Sequence, residues 1–245
     1  MIPKKIHYCW FGGAEKPAIV QKCMASWKKY MPEYEIIEWN ESNYNVHKIL
    51  FIDEAYQAKK WAFVSDYARF DILNQHGGIY FDTDVELLKT IPNDILGDQA
   101  FTGMESIGTV APGLVFASVP NTDFLHEILT VYQDTHFLID GKPNFKTVNW
   151  FTTEILARHG YVSENRFQKV YGLSIYPSEY FCSFDLDVHE YDIRPESISV
   201  HHYAGTWNNS SGKVWVQGFI KKVFGIKFYR NLLKIKRKIM GVSVR

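Results

Sequence analysis

Cysteine is scarce in this chain: Cys9, Cys23 and Cys182 are three residues in 245, odd in number and without CxxC spacing. That excludes a disulfide framework and a cysteine zinc cluster, and the expectation is a reducing compartment. A long apolar run is also missing. Nothing approaches the roughly 20 residues of a membrane span, and the opening Met1-Ile-Pro-Lys-Lys5 leads into a strand-like segment without the apolar core of a signal peptide, so a cytoplasmic location is expected. There is no internal repeat, low-complexity linker, GxGxxG or P-loop signature, and no Gly-x-Ser-x-Gly elbow.

Acidic residues vanish at one end. Residues 213–245 hold ten Lys or Arg and no Asp or Glu, which leaves 17 basic against 27 acidic residues in the remainder, a net of −10. In that tail Val223, Ile226, Tyr229, Leu233 and Met240 share one side of a helical pattern and cations dominate elsewhere. Such a helix suits an anionic membrane surface; a solvated helix packed on its own domain is the plainer alternative. The expected organisation is a catalytic domain over 1–212 and a basic amphipathic helix over 213–245. With an acidic body and no recognisable nucleic-acid module, a nucleic-acid partner is not expected.

What is abundant is aromatic, at 16% of residues within a 46% apolar chain, enough for one substantial core and for a groove lined by flat rings. Strand and helix patterns alternate: a strand over about 6–10, helix 17–30, strand 34–39, helix 61–76, short strands 79–81 and 85–88, a strand 113–117, helices 123–136 and 147–159, and a strand 197–203. This predicts an α/β fold with a mixed, mostly parallel sheet covered by helices. Gly77-Gly78 should end the helix over 61–76.

Asp82-Thr83-Asp84 falls at the end of a short strand, where ligands sit in open α/β sheets. Two carboxylates two positions apart can point one way from extended backbone or reach one ion through a turn, and hard oxygens suit Mn²⁺ or Mg²⁺. Alone, Asp-x-Asp also serves ordinary turns. On the preceding helix Asp66 and Arg69 lie three apart on one face, which fits either a ligand-binding pair or an intrahelical ion pair. His201 and His202 close a probable strand where one can face the site as a third metal ligand, and His202 is preferred. Glu105 follows a likely strand, where it can contact the donor or acceptor; its default reading is solvated or structural. Trp10, taken by itself, reads as core.

The run Phe63-Val-Ser-Asp66-Tyr-Ala-Arg69-Phe-Asp-Ile-Leu-Asn-Gln-His-Gly-Gly78-Ile-Tyr-Phe-Asp82-Thr-Asp84 resembles the sugar-binding region of the glycosyltransferase 32 family. That family includes yeast-type α-1,6-mannosyltransferases and bacterial capsule and lipopolysaccharide transferases, and is similar to the glucosylating domains of large clostridial toxins. Residues 2–13 resemble its first strand and loop, and Val200-His-His-Tyr-Ala-Gly-Thr-Trp207 its closing segment; Thr147-Val-Asn149-Trp150 stands where a Gly-Pro element is often found.

The resemblance implies a GT-A fold and a retaining transfer of a hexose or N-acetylhexosamine from a UDP-sugar. The acceptor would be a glycan, free or lipid-linked, in bacterial capsule, exopolysaccharide or lipopolysaccharide synthesis at the inner membrane face. Asp82 and Asp84 would hold the metal and diphosphate, Asp66 and Arg69 the ribose, sugar or phosphate, with Trp10 stacking on the base and Tyr80 and Trp207 on the donor side. A metal-dependent phosphohydrolase and a non-catalytic glycan- or nucleotide-binding module are the rival readings. For the tail, removal of residues 213–245 is expected to abolish sedimentation with anionic vesicles; a truncated protein that still sediments fully would contradict the surface-helix reading.

Overall fold

A computed structural model describes residues 1–105, 108–185 and 190–204. In chain order the elements are β1 (Lys5–Cys9), α1 (Ala18–Tyr30), β2 (Glu35–Trp39), α2 (Leu50–Gln57), α3 (Trp61–His76), β3 (Gly78–Tyr80) and β4 (Val85–Leu87). Then come α4 (Asn93–Leu96), β5 (Ala100–Gly103), β6 (Phe116–Ser118), α5 (Asp123–Gln133), the small hairpin β7 (Leu138–Ile139) and β8 (Lys142–Pro143), and α6 (Val148–Arg158). The described chain continues with β9 (Gln168–Val170), β10 (Leu173–Tyr176), α7 (Ser178–Phe181), β11 (Phe184–Asp185), β12 (Glu190–Tyr191) and β13 (Ser199–His201).

The central sheet has seven strands in the order β2-β1-β3-β6-β5-β10-β9. β1 pairs in parallel with β2 and β3, and β5 with β10, while β6 runs against β3 and β5 and β9 runs against β10. Five strands therefore point one way and two the other, which is the mixed, mostly parallel α/β sheet the alternation predicts. Because successive side chains leave a strand on opposite faces, the sheet divides the core. Cys9, Tyr80, Phe116, Leu173 and Ile175 pack on the side of α3, α5 and α6; Ile6, Tyr8, Ile79, Phe101 and Ala117 pack on the side of Trp27 and Phe181.

Helix α3 is the element that positions the site. It is buried almost all round, from Val64 to Leu73, so it carries no wide polar face and its charged residues must find partners inside the protein. Asp71 does so with Lys48 at 2.7 Å and the Tyr44 hydroxyl at 2.9 Å. The helix stops at Gly77, whose N–H bonds the Leu73 carbonyl with φ of 59°; Gly78 follows at φ of 112°, where a Cβ would stand 2.8 Å from the Lys5 carbonyl. Only glycine fits both conditions, and the sharp reversal feeds α3 directly into β3 beside β1.

Two sequence expectations shift. The strand expected over 113–117 begins only at Phe116, because 111–114 is a turn closed by Leu114 N–H to the Ala111 carbonyl, with the Gly113 carbonyl turned to the Asp82 N–H at 3.0 Å. The last expected strand is shorter, Ser199–His201, and pairs with β4 in a separate two-stranded ribbon. The basic tail lies outside the described residues.

Candidate active site

β1 and β3 are adjacent and parallel, so their carboxyl ends deliver Trp10 and Asp82 to one edge of the sheet. β6 is antiparallel to β3 and brings Gly113 to the same edge from the loop before it. Val85 N–H closes back onto the Asp82 carbonyl at 3.1 Å, so Asp82-Thr83-Asp84 is a tight turn between β3 and β4. The two carboxylates are thereby placed in different surroundings.

Asp82 belongs to a buried charge cluster. Arg69, 2% exposed, donates from Nη2 to Asp66 Oδ1 at 2.8 Å, and the same nitrogen lies 3.3 Å from Asp82 Oδ1. Its Nε is held by the Ser65 carbonyl at 3.1 Å, and its guanidinium stacks on the Tyr80 ring at 4.8 Å. Asp66 Oδ2 accepts the Val148 N–H at 3.3 Å, in the first turn of α6, where unpaired N–H groups favour an anion. One fixed cation thus holds two carboxylates from different elements. Its remaining nitrogen, Nη1, is buried without a partner among the described residues. A buried donor left unpaired is costly, and a ligand oxygen would satisfy this one.

Gly113 makes the room. A Cβ there would stand 2.1 Å from Asp82 Oδ2 and 3.2 Å from Arg69 Nη1. Burial raises the pKa of Asp82, opposed by Arg69 and assisted by the charge of Asp84. Burial likewise pushes Asp66 up, to about 6, against the pull of Arg69.

Asp84 sits in a second network. Its Oδ1 is 2.9 Å from His201 Nε2 and its Oδ2 accepts the Ala204 N–H at 2.9 Å. Burial works against its charge but is outweighed by these bonds, so its pKa falls; that of His201 rises, because the bond and charge of Asp84 overcome desolvation of the imidazolium. The antiparallel register that pairs His201 with Val85 brings the side chain of this histidine to the Asp82–Asp84 turn, which His202 meets only through its backbone N–H, at 3.0 Å from the Asp84 carbonyl. His202 faces the other way, with Nε2 at 2.8 Å from Glu86 and Nδ1 at 2.8 Å from the Tyr191 hydroxyl.

The other expected donor residues separate. Tyr80 is 1% exposed beneath Arg69, so it supports the guanidinium from behind and offers no surface to a donor. Trp10 is half-buried at the end of β1, with Nε1 bonded to the Ala14 carbonyl at 2.7 Å and Lys16 Nζ 5.7 Å from its ring. Trp207 lies outside the described residues. Glu105, which the sequence left as a default surface or structural residue, is drawn into the site's wall: its Oε1 accepts from Asn149 at 3.1 Å and from the Tyr203 hydroxyl at 3.3 Å, and its pKa is raised by burial. Its place just after a strand is the local signal; its partners, 44 and 98 positions away, are not legible in the sequence.

Among the described residues no group of three or more His, Cys, Asp and Glu is arranged to hold a metal ion by itself. What the site offers is two carboxylates on one turn, with the space beside Asp82 kept open by Gly113. That donor set fits a hard divalent cation shared with a diphosphate, where one or two carboxylates and phosphate oxygens complete the shell.

The Asp66 carboxyl supplies a stability test. Its ordinary pKa of 3.8 rises to about 6 on folding, so its stabilising contribution is full below pH 4 and is lost as pH rises through 6. Asp66→Asn removes this dependence. The melting temperature of the variant minus that of the wild type is expected to increase steadily from pH 4 to pH 7 in thermal unfolding scans; a flat difference would show that Asp66 ionises freely.

Two solved glycosyltransferase structures are similar to this chain in part. One, "PaToxG Glycosyltransferase", is 18% identical, with 64% of this chain and 69% of that chain covered and a TM-score of 0.49. The other, a glycosyltransferase involved in the glycosylation of the major capsid of PBCV-1, is 13% identical over 90% of this chain and 100% of that one, with a TM-score of 0.47. No curated protein sequence matches. A family model described as capsular polysaccharide synthesis protein matches residues 1–165, the stretch that holds Trp10, Asp66, Arg69, Asp82, Asp84, Glu105 and Asn149. With two thirds of its length matched, including the α3 charge cluster and the Asp82–Asp84 turn, the chain belongs to the capsular polysaccharide synthesis protein family.

Proposed function

We propose that the protein is a metal-dependent glycosyltransferase that transfers a hexose or N-acetylhexosamine from a UDP-sugar to a glycan acceptor during capsule synthesis. The observation that carries this reading is the Asp82–Asp84 turn at the carboxyl edge of the sheet, backed by a guanidinium that Asp66, Ser65 and Tyr80 hold in one orientation. Breaking a sugar-phosphate bond puts negative charge on the leaving diphosphate, and fixed positive groups aimed at that charge lower the barrier. Mn²⁺ or Mg²⁺, when bound, neutralises charge on the diphosphate. Asp82 and Asp84 are the residues that would hold it, and His201 keeps Asp84 ionised and oriented.

The chain's other residues divide the remaining work. Nη1 of Arg69, unpaired among the described residues, offers a hydrogen bond to a phosphate or sugar oxygen, and Asp66, pinned by Arg69 and Val148, can accept one from a sugar hydroxyl. Trp10 presents a half-buried indole at the adjoining strand end, where a base can stack. The resemblance to the glycosyltransferase 32 family supports a GT-A donor site, UDP as the nucleotide, and retention of anomeric configuration. Membership of the capsule family supports a polysaccharide acceptor. Among the described residues no helix is long and apolar enough to cross a membrane, and the basic tail is the segment proposed to meet the membrane face.

Thermal unfolding with a panel of UDP- and GDP-sugars, with and without Mn²⁺, tests the reading, because a ligand that binds only the folded state at about 100 times its Kd stabilises by about 2.7 kcal/mol. One UDP-sugar is expected to raise the melting temperature only with Mn²⁺, and Asp84→Asn is expected to lose the effect. No shift with any nucleotide sugar at millimolar concentration would favour a phosphohydrolase or a non-catalytic module instead.

A further inference from the structure

Glu105 lies two residues beyond the carboxyl end of β5, on the side of the sheet where β1 and β3 deliver Trp10 and Asp82. Its backbone is fixed in both directions: its N–H bonds the Thr109 carbonyl at 2.8 Å and its carbonyl accepts the Gly108 N–H at 3.1 Å. The segment that begins at Glu105 returns through Val110 and Ala111 to Gly113, which lies against Asp82 and Arg69. Glu105 and the charge cluster are therefore the two ends of one loop.

The side chain is held as firmly as the backbone. Asn149 and Tyr203 both donate to Oε1, and among the described residues no donor reaches Oε2. The two clamps are tied to the rest of the site. Asn149 directly follows Val148, whose N–H holds Asp66, and the Tyr203 ring lies 4.1 Å from the ring of His201, which holds Asp84. A sheltered carboxylate ordinarily has a cation beside it, because removing an unpaired charge from water is expensive. The described hydrogen-bond partners of Glu105 are a neutral amide and a neutral hydroxyl, with His201 attracting it through space. Partly exposed, and with no donor on Oε2 among the described residues, Glu105 has what a general base needs: a locked carboxylate, an oxygen open to an acceptor, and surroundings that favour taking a proton.

We propose that Glu105 receives the acceptor hydroxyl, accepting its hydrogen bond at Oε2 and taking its proton as the new glycosidic bond forms. The inference rests on the glycosyltransferase reading above. The step balances as follows: the acceptor oxygen bonds to the anomeric carbon, the bond from that carbon to the diphosphate oxygen breaks, the diphosphate leaves with the electron pair, and the hydroxyl proton passes to Glu105. Solvent removes it before the next turnover. With retention, as proposed above, this is a single displacement on the face that the diphosphate leaves, and the hydroxyl proton goes to Glu105 instead of to the departing phosphate oxygen. Asn149 and Tyr203 are positioning residues that keep Oε2 pointed at the acceptor.

The test uses the full chain with Mn²⁺, a panel of UDP- and GDP-sugars, and a mixture of simple mono- and disaccharides as acceptors, following nucleoside diphosphate release. Glu105→Gln keeps the shape and the acceptor for both clamps. It is expected to slow acceptor-dependent release by about 10²- to 10⁴-fold while leaving the donor KM and the thermal shift produced by UDP with Mn²⁺ unchanged. Asn149→Ala, which frees the carboxylate without removing it, is expected to lose about tenfold with the same UDP shift retained. Glu105→Gln within about threefold of wild type would overturn the proposal, as would a loss of turnover that tracks a loss of the UDP shift in both variants, since that would mark a structural role. Absence of turnover by the wild type with every donor would instead bring down the glycosyltransferase reading, and this proposal with it.

Discussion

The site depends on one guanidinium. Arg69 is enclosed by helix α3, the Tyr80 ring and the turn at Gly113, and it carries the carboxylates of Asp66 and Asp82 on one nitrogen. Replacing a buried ion pair with apolar residues often costs a protein nothing, while removing one partner costs several kcal/mol. A cluster of this kind is therefore weak ground for a stability argument and good ground for a functional one. It keeps two acids at the carboxyl edge of the sheet and leaves Nη1, unpaired among the described residues, with a hydrogen bond to give. The remaining features follow from that constraint: Gly113 must lack a side chain, Tyr80 must be buried, and α3 must end abruptly so that β3 can begin within two residues.

Asp82 and Asp84 are two residues apart and have opposite surroundings. Burial leaves Asp82 raised in spite of Arg69, while His201 and the Ala204 N–H hold Asp84 low. Environments that push neighbouring acids in different directions are characteristic of reacting sites, where one group must stay charged and another adjust to ligand. The turn geometry, closed by Val85 N–H on the Asp82 carbonyl, is what separates them. A continuous strand would have pointed both the same way.

Much of this was legible in the sequence where the signal was local. The helix over 61–76 and its glycine stop, the strand leading into Asp82, and the i, i+3 pairing of Asp66 with Arg69 all follow from spacing that the chain itself displays. The residues that sequence reading misplaced were set by long-range register. Which histidine meets Asp84 depends on how β13 lies along β4, a pairing 117 positions apart in sequence for His201. Tyr80 looked available because a short strand leading into carboxylates gives no sign of what covers it; Arg69 and the α3 side of the core do. Glu105 acquires its meaning only from Asn149 and Tyr203, which the fold brings from α6 and the segment after β13.

The central claim is that the Asp82–Asp84 turn completes a divalent cation site only together with a diphosphate. Electron paramagnetic resonance of Mn²⁺ reads this directly, because the free aqueous ion gives a signal that bound ion loses. With protein and UDP together, the free-ion signal is expected to fall in proportion to the protein added. It should fall little with protein alone, whose turn supplies two carboxylates, and Asp82→Asn combined with Asp84→Asn should not lower it beyond a UDP-only control. A free-ion signal that wild-type protein and UDP together leave at the level of that control would contradict the account.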